Sequence, residues 1–269
     1  MMTSLTTCDH YSRIIDSVYP IGWAYQGAIF MPSLNSNVGN VSRGFAAFLA
    51  PPPEGVVRFT VGQPNFRTPD SVVNSAKAAL DSGQHGYTRS QGSEEICNSV
   101  ANYLTKYDIN VDPNDVLVSP GCKQALLYAM MTCLNPGDEV VLFAPAWPSY
   151  DGMLKLIGAV PIHVPVKREN YHPDIAATRA AITSKTKAII INSPNNPTGA
   201  VYLPSEIEEI TAIAAENDLW IFDDMIYSDL VYSEHSYVSP AACKGGEGRT
   251  LTIGGWSKIW AMTGWRLGW

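Results

Sequence analysis

The sequence predicts an α/β fold, three layers deep, in which a mostly parallel sheet is covered by helices on both faces. Three observations carry this reading. From about residue 56 onward, short apolar and β-branched runs alternate with stretches of helical periodicity. The runs are apolar on both faces, as expected of strands buried from two sides. The chain has 269 residues, 46% hydrophobic and 16% charged, which suits a globular protein with one large core or one domain plus part of another.

Taken in order, residues 1–55 are irregular in pattern, with SLNSNVGN (33–40) reading as loop and APPPEG (50–55) as a break. Helices are predicted over 70–81 and 91–106, followed by the first strand at VLV (116–118) and a helix over 121–134. VVLF (140–143) is the next strand, then a helix over 150–157, the strand VPIHVPV (160–166) and a helix over 174–183. The strand AIII (188–191) leads to PSEIEEITAIAAEN (204–217), which a proline opens as a helix. There Ser205 and Glu208 have capping-box spacing, and Ile207, Ile210, Ile213 and Ala214 share one stripe. LWIF (219–222) and LTI (251–253) complete the strands.

Composition excludes several classes. A net charge of -7 and the lack of basic runs interleaved with aromatics argue against nucleic acid as a partner. The five cysteines, Cys8, Cys97, Cys122, Cys133 and Cys243, are odd in number and form no Cys-x-x-Cys pair, so reduced thiols and a cytoplasmic location are expected. The most apolar stretch, YPIGWAYQGAIFM (19–31), falls short of the ~20 residues needed to span a bilayer and has no basic region before it. No membrane association is expected.

Ligands of such sheets bind beyond the carboxyl ends of the strands, so the segments that follow each strand matter most. After VLV comes SPGCKQAL, a glycine turn opening a helix, which presents N–H groups to an anion. APAWPSY follows VVLF, NSPNNPTG follows AIII, DDMIYSDL follows LWIF, and GGWSK follows LTI. Singly, each has an ordinary structural reading: a tight turn, a packing tryptophan, a solvated strand end, a surface lysine. Together they bring an anion cradle, an aromatic platform, an amide, a carboxylate with a phenol, and an amine to one edge of the sheet.

NNPTG (195–199), the Asp-x-x-Tyr of DMIY (224–227) and SKIWAMTGWRLG (257–268) resemble class I and II aminotransferases, enzymes of fold type I that use pyridoxal 5'-phosphate. The likeness runs from about GQPNF (62–66) to Trp269. It implies a large domain like that of the pyridoxal-phosphate-dependent transferases over 56–269. Residues 1–55 would then form an N-terminal arm and part of a small domain. By resemblance, Lys258 is the lysine that binds the cofactor covalently and then serves as general base and acid at the substrate's Cα, given an amine whose pKa is lowered by its surroundings. Asp224 matches the carboxylate that faces the pyridine nitrogen, with Asp223 a rival whose spacing to Tyr227 is wrong by one residue. Tyr227 and Asn196 match the donors to the cofactor's phenolic oxygen, and Trp147 matches the ring stacked on the pyridine. Gly121, Cys122, Lys123 and Arg266 match the phosphate site. Tyr87 matches a tyrosine that reaches the phosphate of a neighbouring subunit, implying a homodimer. Gly62 matches a backbone contact to the substrate carboxylate, and Trp147 and Asn196 would line the same space.

The likeness has departures. Gly255 stands where the family usually has a serine that helps to hold phosphate, and Met225 replaces a common glutamate. Family members continue for over a hundred residues and supply an arginine for the substrate carboxylate that has no counterpart here, so a fragment of a longer protein is expected. The resemblance implies transfer of an amino group between an L-amino acid and a 2-oxo acid. A lyase reaction on the same site, and a non-catalytic module on the same fold, remain open at this point.

Overall fold

The computed structural model describes residues 35–39, 53–57, 62–232 and 234–269. The run 19–31, Cys8 and most of the expected arm over 1–55 lie outside them. The main helices are α1 (Asp70–Asp81), α2 (Glu94–Leu104), α3 (Cys122–Cys133), α4 (Ser149–Leu156), α5 (Ile175–Ala181) and α6 (Pro204–Glu216). The strands are β1 (Glu139–Ala144), β2 (Val160–Pro165), β3 (Thr186–Asn192), β4 (Trp220–Asp224) and β5 (Thr250–Ile253). Among the described residues, no helix is long and apolar enough to cross a membrane.

Local chemistry explains where the helices begin. Ser93 caps α2 by accepting a bond from Ile96 N at 3.4 Å, and Glu94 and Glu95 fill its positive first turn. Asp174 caps α5 through Ala177 N at 3.0 Å. At α6 the expected box of Ser205 and Glu208 is displaced by two residues. Pro204 takes the first helical position, so the cap residue is Leu203 and the third position is Glu206. The Glu206 carboxylate reaches back to accept from Leu203 N at 2.9 Å.

The five strands form one parallel sheet in the order β2-β1-β3-β4-β5. Alternation along the strands sorts their side chains into two cores. Val140, Leu142, Ala188, Ile190 and Phe222 pack with Leu126 and Met130 of α3 and Tyr150 and Leu154 of α4. Val141, Phe143, Ile189, Ile191 and Ile221 pack with Ile207, Ile210, Ile213 and Ala214 of α6, the stripe read from the sequence. A third cluster joins Val100 and Leu104 of α2 to Met225, Tyr237 and Trp269.

Two expectations fail locally. VLV is not a strand of the sheet: Val116 is extended, but only Ser119, just after the run, makes an antiparallel bridge, to Gly268. Its β-branched side chains are accounted for by packing instead, since Val116 is buried and Val118 half-buried against the α2 cluster. SLNSNVGN, read as loop, contains one helical turn at Ser36–Gly39, where the Asn35 side chain accepts from Asn37 N at 2.9 Å.

Candidate active site

The parity that builds the two cores also separates the two aspartates that end β4. Asp224 lies two residues beyond Phe222 and therefore on the face covered by α3 and α4. Its Oδ2 accepts from the Tyr150 hydroxyl at 2.6 Å; its Oδ1 accepts from the Cys122 thiol at 3.4 Å and from Ile226 N at 3.3 Å. Burial raises its pKa, and these three donors oppose the rise. Asp223 points to the opposite face, where Tyr237 and Ser239 donate to its Oδ2 at 2.5 Å and 2.6 Å. The structure thus places Asp224, not its neighbour, with the other candidate residues.

Next to Asp224, Asn192 at the end of β3 organises the following loop. Its Nδ2 donates to the Asp224 carbonyl at 2.9 Å, and its Oδ1 accepts from Asn196 N at 2.8 Å. Asn196 Nδ2 then donates to the Tyr227 hydroxyl at 3.3 Å, so the two residues predicted to share one ligand oxygen already form a pair. Burial, then the nearby Asp224 charge, push the Tyr227 phenol up to about 12, which keeps it protonated and a donor.

The anion cradle lies at the start of α3. Gly121 precedes the helix with φ 93°, a left-handed value that side chains rarely adopt. No side chain caps this helix among the described residues. A Cβ on Gly121 would stand 2.3 Å from Arg266 Nη2, so the guanidinium rests directly on the turn. Arg266 is held there by bonds from Nη1 to Thr263 O at 3.1 Å and from Nη2 to Pro120 O at 3.2 Å. Behind it, the extended segment 267–269 runs between Ser119 and residues 254–256, with bridges Ser119↔Gly268 and Gly255↔Gly268. This closeness accounts for Gly255, since a Cβ there would lie 2.9 Å from the Leu267 carbonyl. A Cβ on Gly268 would meet Cys122 N at 2.4 Å.

Lys258 follows β5 and donates through Nζ to the carbonyl of Gly62. Burial, then the Arg266 charge, lower its pKa, with Cys122 acting in the other direction. The same segment is tied down again at Thr68, which donates to Ala261 O at 2.7 Å and accepts from Trp265 Nε1 at 3.1 Å. The Trp147 ring carries the Lys123 ammonium 4.9 Å from its centroid and meets Tyr150 edge-on at 5.3 Å. Burial and Arg266 lower the Lys123 pKa as well. Tyr87 is fully exposed.

The sequence reading missed Tyr150 and Asn192. Tyr150 lies three residues after Trp147, across a turn in which its N–H donates to the Trp147 carbonyl at 3.1 Å. Asn192 shares strand parity with Ala188 and Ile190, which assigns it to the face of Asp224. Cys122 was expected at the phosphate site, and its thiol also donates to the Asp224 carboxylate.

These residues fit a phosphorylated pyridine aldehyde. An uncapped helix start with a guanidinium on its glycine suits a phosphate, a buried carboxylate suits a ring nitrogen, and a half-buried amine with a lowered pKa suits an aldehyde. A family model described as aminotransferase class I and II matches residues 54–269. The aspartate aminotransferase of Musicola paradisiaca is 42% identical over 211 residues, covering 77% of this chain and 52% of that protein. Among solved structures, the aspartate aminotransferase of Thermus thermophilus with maleate superposes with TM-score 0.82 at 36% identity, over 88% of this chain and 64% of that one. The aromatic aminotransferase of Pyrococcus horikoshii gives TM-score 0.77 at 37% identity, over 80% and 58%. The chain spans about half the length of the curated relatives it matches. With the family match extending over nearly all of the described residues, and the same fold in relatives more than a third identical, the chain belongs to the aminotransferase class I and II family.

Proposed function

We propose that this chain supplies the cofactor site of an aminotransferase that moves an amino group between an L-amino acid and a 2-oxo acid, with pyridoxal 5'-phosphate as cofactor. The observation that carries this reading is the juxtaposition at the start of α3: Gly121 lies under Arg266, and the next residue, Cys122, reaches Asp224. One turn of chain therefore joins a place for phosphate to a place for a ring nitrogen. When bound, the cofactor supplies an aldehyde that captures amino groups and a ring that takes up the electron pair left at Cα.

The roles of the chain's own residues follow from their chemistry. Arg266, with the N–H groups at the start of α3, binds the phosphate. Asp224 holds a proton at the ring nitrogen. Asn196 and Tyr227 donate to the phenolic oxygen, and Trp147 covers the ring face. Lys258 would hold the aldehyde carbon through Nζ, and its free amine would take and return the proton at the substrate's Cα. That task needs the unprotonated amine, so the rate rises with pH through the lowered Lys258 pKa. Gly62, whose carbonyl holds the resting amine, borders the substrate's space.

The partner proposed for the assembly is a second copy of the chain, with exposed Tyr87 reaching the neighbour's phosphate site. A cytoplasmic location agrees with the free state of Cys97, Cys122, Cys133 and Cys243. To test the function, the protein is loaded with pyridoxal phosphate and given an isotope-labelled amino acid and an unlabelled 2-oxo acid. Label in the product amino acid, lost in Lys258→Ala, is the expected result. Release of ammonia and an oxo acid without any acceptor would replace transfer by elimination.

A further inference from the structure

The carboxylate of Asp224 is more closely supervised than its proposed role alone requires. Both of its oxygens are occupied, Oδ2 by the Tyr150 hydroxyl and Oδ1 by the Cys122 thiol and Ile226 N. Two of these donors are side chains from different helices, and each sits on an element that carries another part of the site. Cys122 is the first residue of α3, next to Gly121 and its guanidinium. Tyr150 is in the first turn of α4 and touches the Trp147 ring that precedes the helix. A bond to each oxygen fixes the rotation of the carboxyl plane, and a donor favours the charged form over the neutral one.

We propose that Cys122 and Tyr150 are positioning residues that keep the Asp224 carboxylate charged and fix its plane, tying its orientation to the phosphate cradle and to the ring platform. The inference rests on the reading of Asp224 as the partner of the cofactor's ring nitrogen. A carboxylate sealed between a sheet and two helices otherwise favours its neutral form, which could not hold a proton at that nitrogen. Asp223, one residue earlier and equally buried, shows the contrast: its donors crowd one oxygen, and Oδ1 has no hydrogen-bond partner among the described residues. The groups facing Asp224 are few. Cys122 comes from α3, Tyr150 from α4 and Tyr227 from the turn after β4, while Asp223 lies on the other face of the strand. The cations Lys258 and Arg266 act on the Cys122 thiol.

The test reads the carboxyl group itself in the cofactor-free, full-length chain. Aspartate carboxyl carbons are isotope-labelled and followed by NMR against pH, and the Asp224 signal is assigned by its loss in Asp224→Asn. Removing one donor, in Cys122→Ala or Tyr150→Phe, is expected to raise the Asp224 midpoint by roughly one pH unit, a tenfold change in its ionisation. Cys122→Ser, which restores a donor, brings the midpoint back. If Tyr150→Phe does not fold, the Cys122 pair decides alone. An unmoved midpoint in Cys122→Ala, or a Cys122→Ser midpoint as high as that of Cys122→Ala, would overturn the proposal, because a purely packing role would not distinguish hydroxyl from methyl. Titrating the same wild-type sample with pyridoxal phosphate separates the two readings. Donor effects without cofactor binding sink the cofactor site and leave the positioning intact, and binding with silent variants does the reverse.

Discussion

On β4, one peptide unit separates two buried carboxylates with different surroundings. Asp224 meets donors from two helices, while Asp223 meets Tyr237 and Ser239 on the far face. Burial pushes Asp223 up to about 7; its two donors oppose the rise and the Asp224 charge adds to it. Between the ordinary aspartate value and about 7, the folded protein keeps a proton that the unfolded chain gives up. The stability this provides is fully present below the unfolded pKa and lost as pH rises through the folded one. Asp223→Asn removes that titration. The fall in Tm between about pH 5 and about pH 8 should therefore shrink in the variant, by about 2–4 °C for each kcal/mol of charge burial relieved. Equal slopes for variant and wild type in a calorimetric pH series would contradict this account. That Asp224 and not Asp223 lies with the other candidate residues was legible from its spacing to Tyr227, and strand parity gives the physical reason. The roles of Tyr150 and of the Cys122 side chain were not legible, because they depend on how α3 and α4 lean on β4.

Helix positions were legible nearly to the residue at α1 and α6, and to within about three residues at α2 and α5. The prediction of 70–81 coincides with α1, and α6 ends one residue short of its predicted bound. The failures share a cause. Ser205 and Glu208 carry the right residue types, but Pro204 at the first helical position moves the cap two residues earlier and leaves the task to Glu206. VLV has strand composition, yet strand status depends on a partner, and its neighbourhood provides a single bridge at Ser119. The stripe on α6 gives a direct measure of what seals the second face of the sheet. Ile207, Ile210 and Ile213 are each almost fully buried there. Ile210→Ala should cost about 2–5 kcal/mol in urea unfolding, from lost burial and the cavity left behind. A cost below about 1 kcal/mol would mean that α6 is not packed as described.

Across the molecule, residues distant in sequence gather at the carboxyl edge of one parallel sheet: Gly121 and Cys122 at the start of α3, Trp147 after β1, Asn196 after β3, Asp224 at the end of β4 and Tyr227 just after it, Lys258 after β5. The motifs around Asn196, Asp224, Lys258 and Arg266 were readable through their resemblance to class I and II aminotransferases. The hold of segment 267–269 on the α3 turn was not, since it arises from three glycines packed backbone to backbone. The claim that unites these residues is that Lys258 is the covalent anchor of pyridoxal phosphate. It is tested most directly by incubating the chain with the cofactor, reducing with borohydride and mapping the modified peptide by mass spectrometry. The account predicts that the label falls on Lys258, with Arg266→Ala weakening its uptake about tenfold or more through the loss of a charged phosphate contact. Label on Lys123 in place of Lys258, or label retained in full by Lys258→Ala, would contradict it.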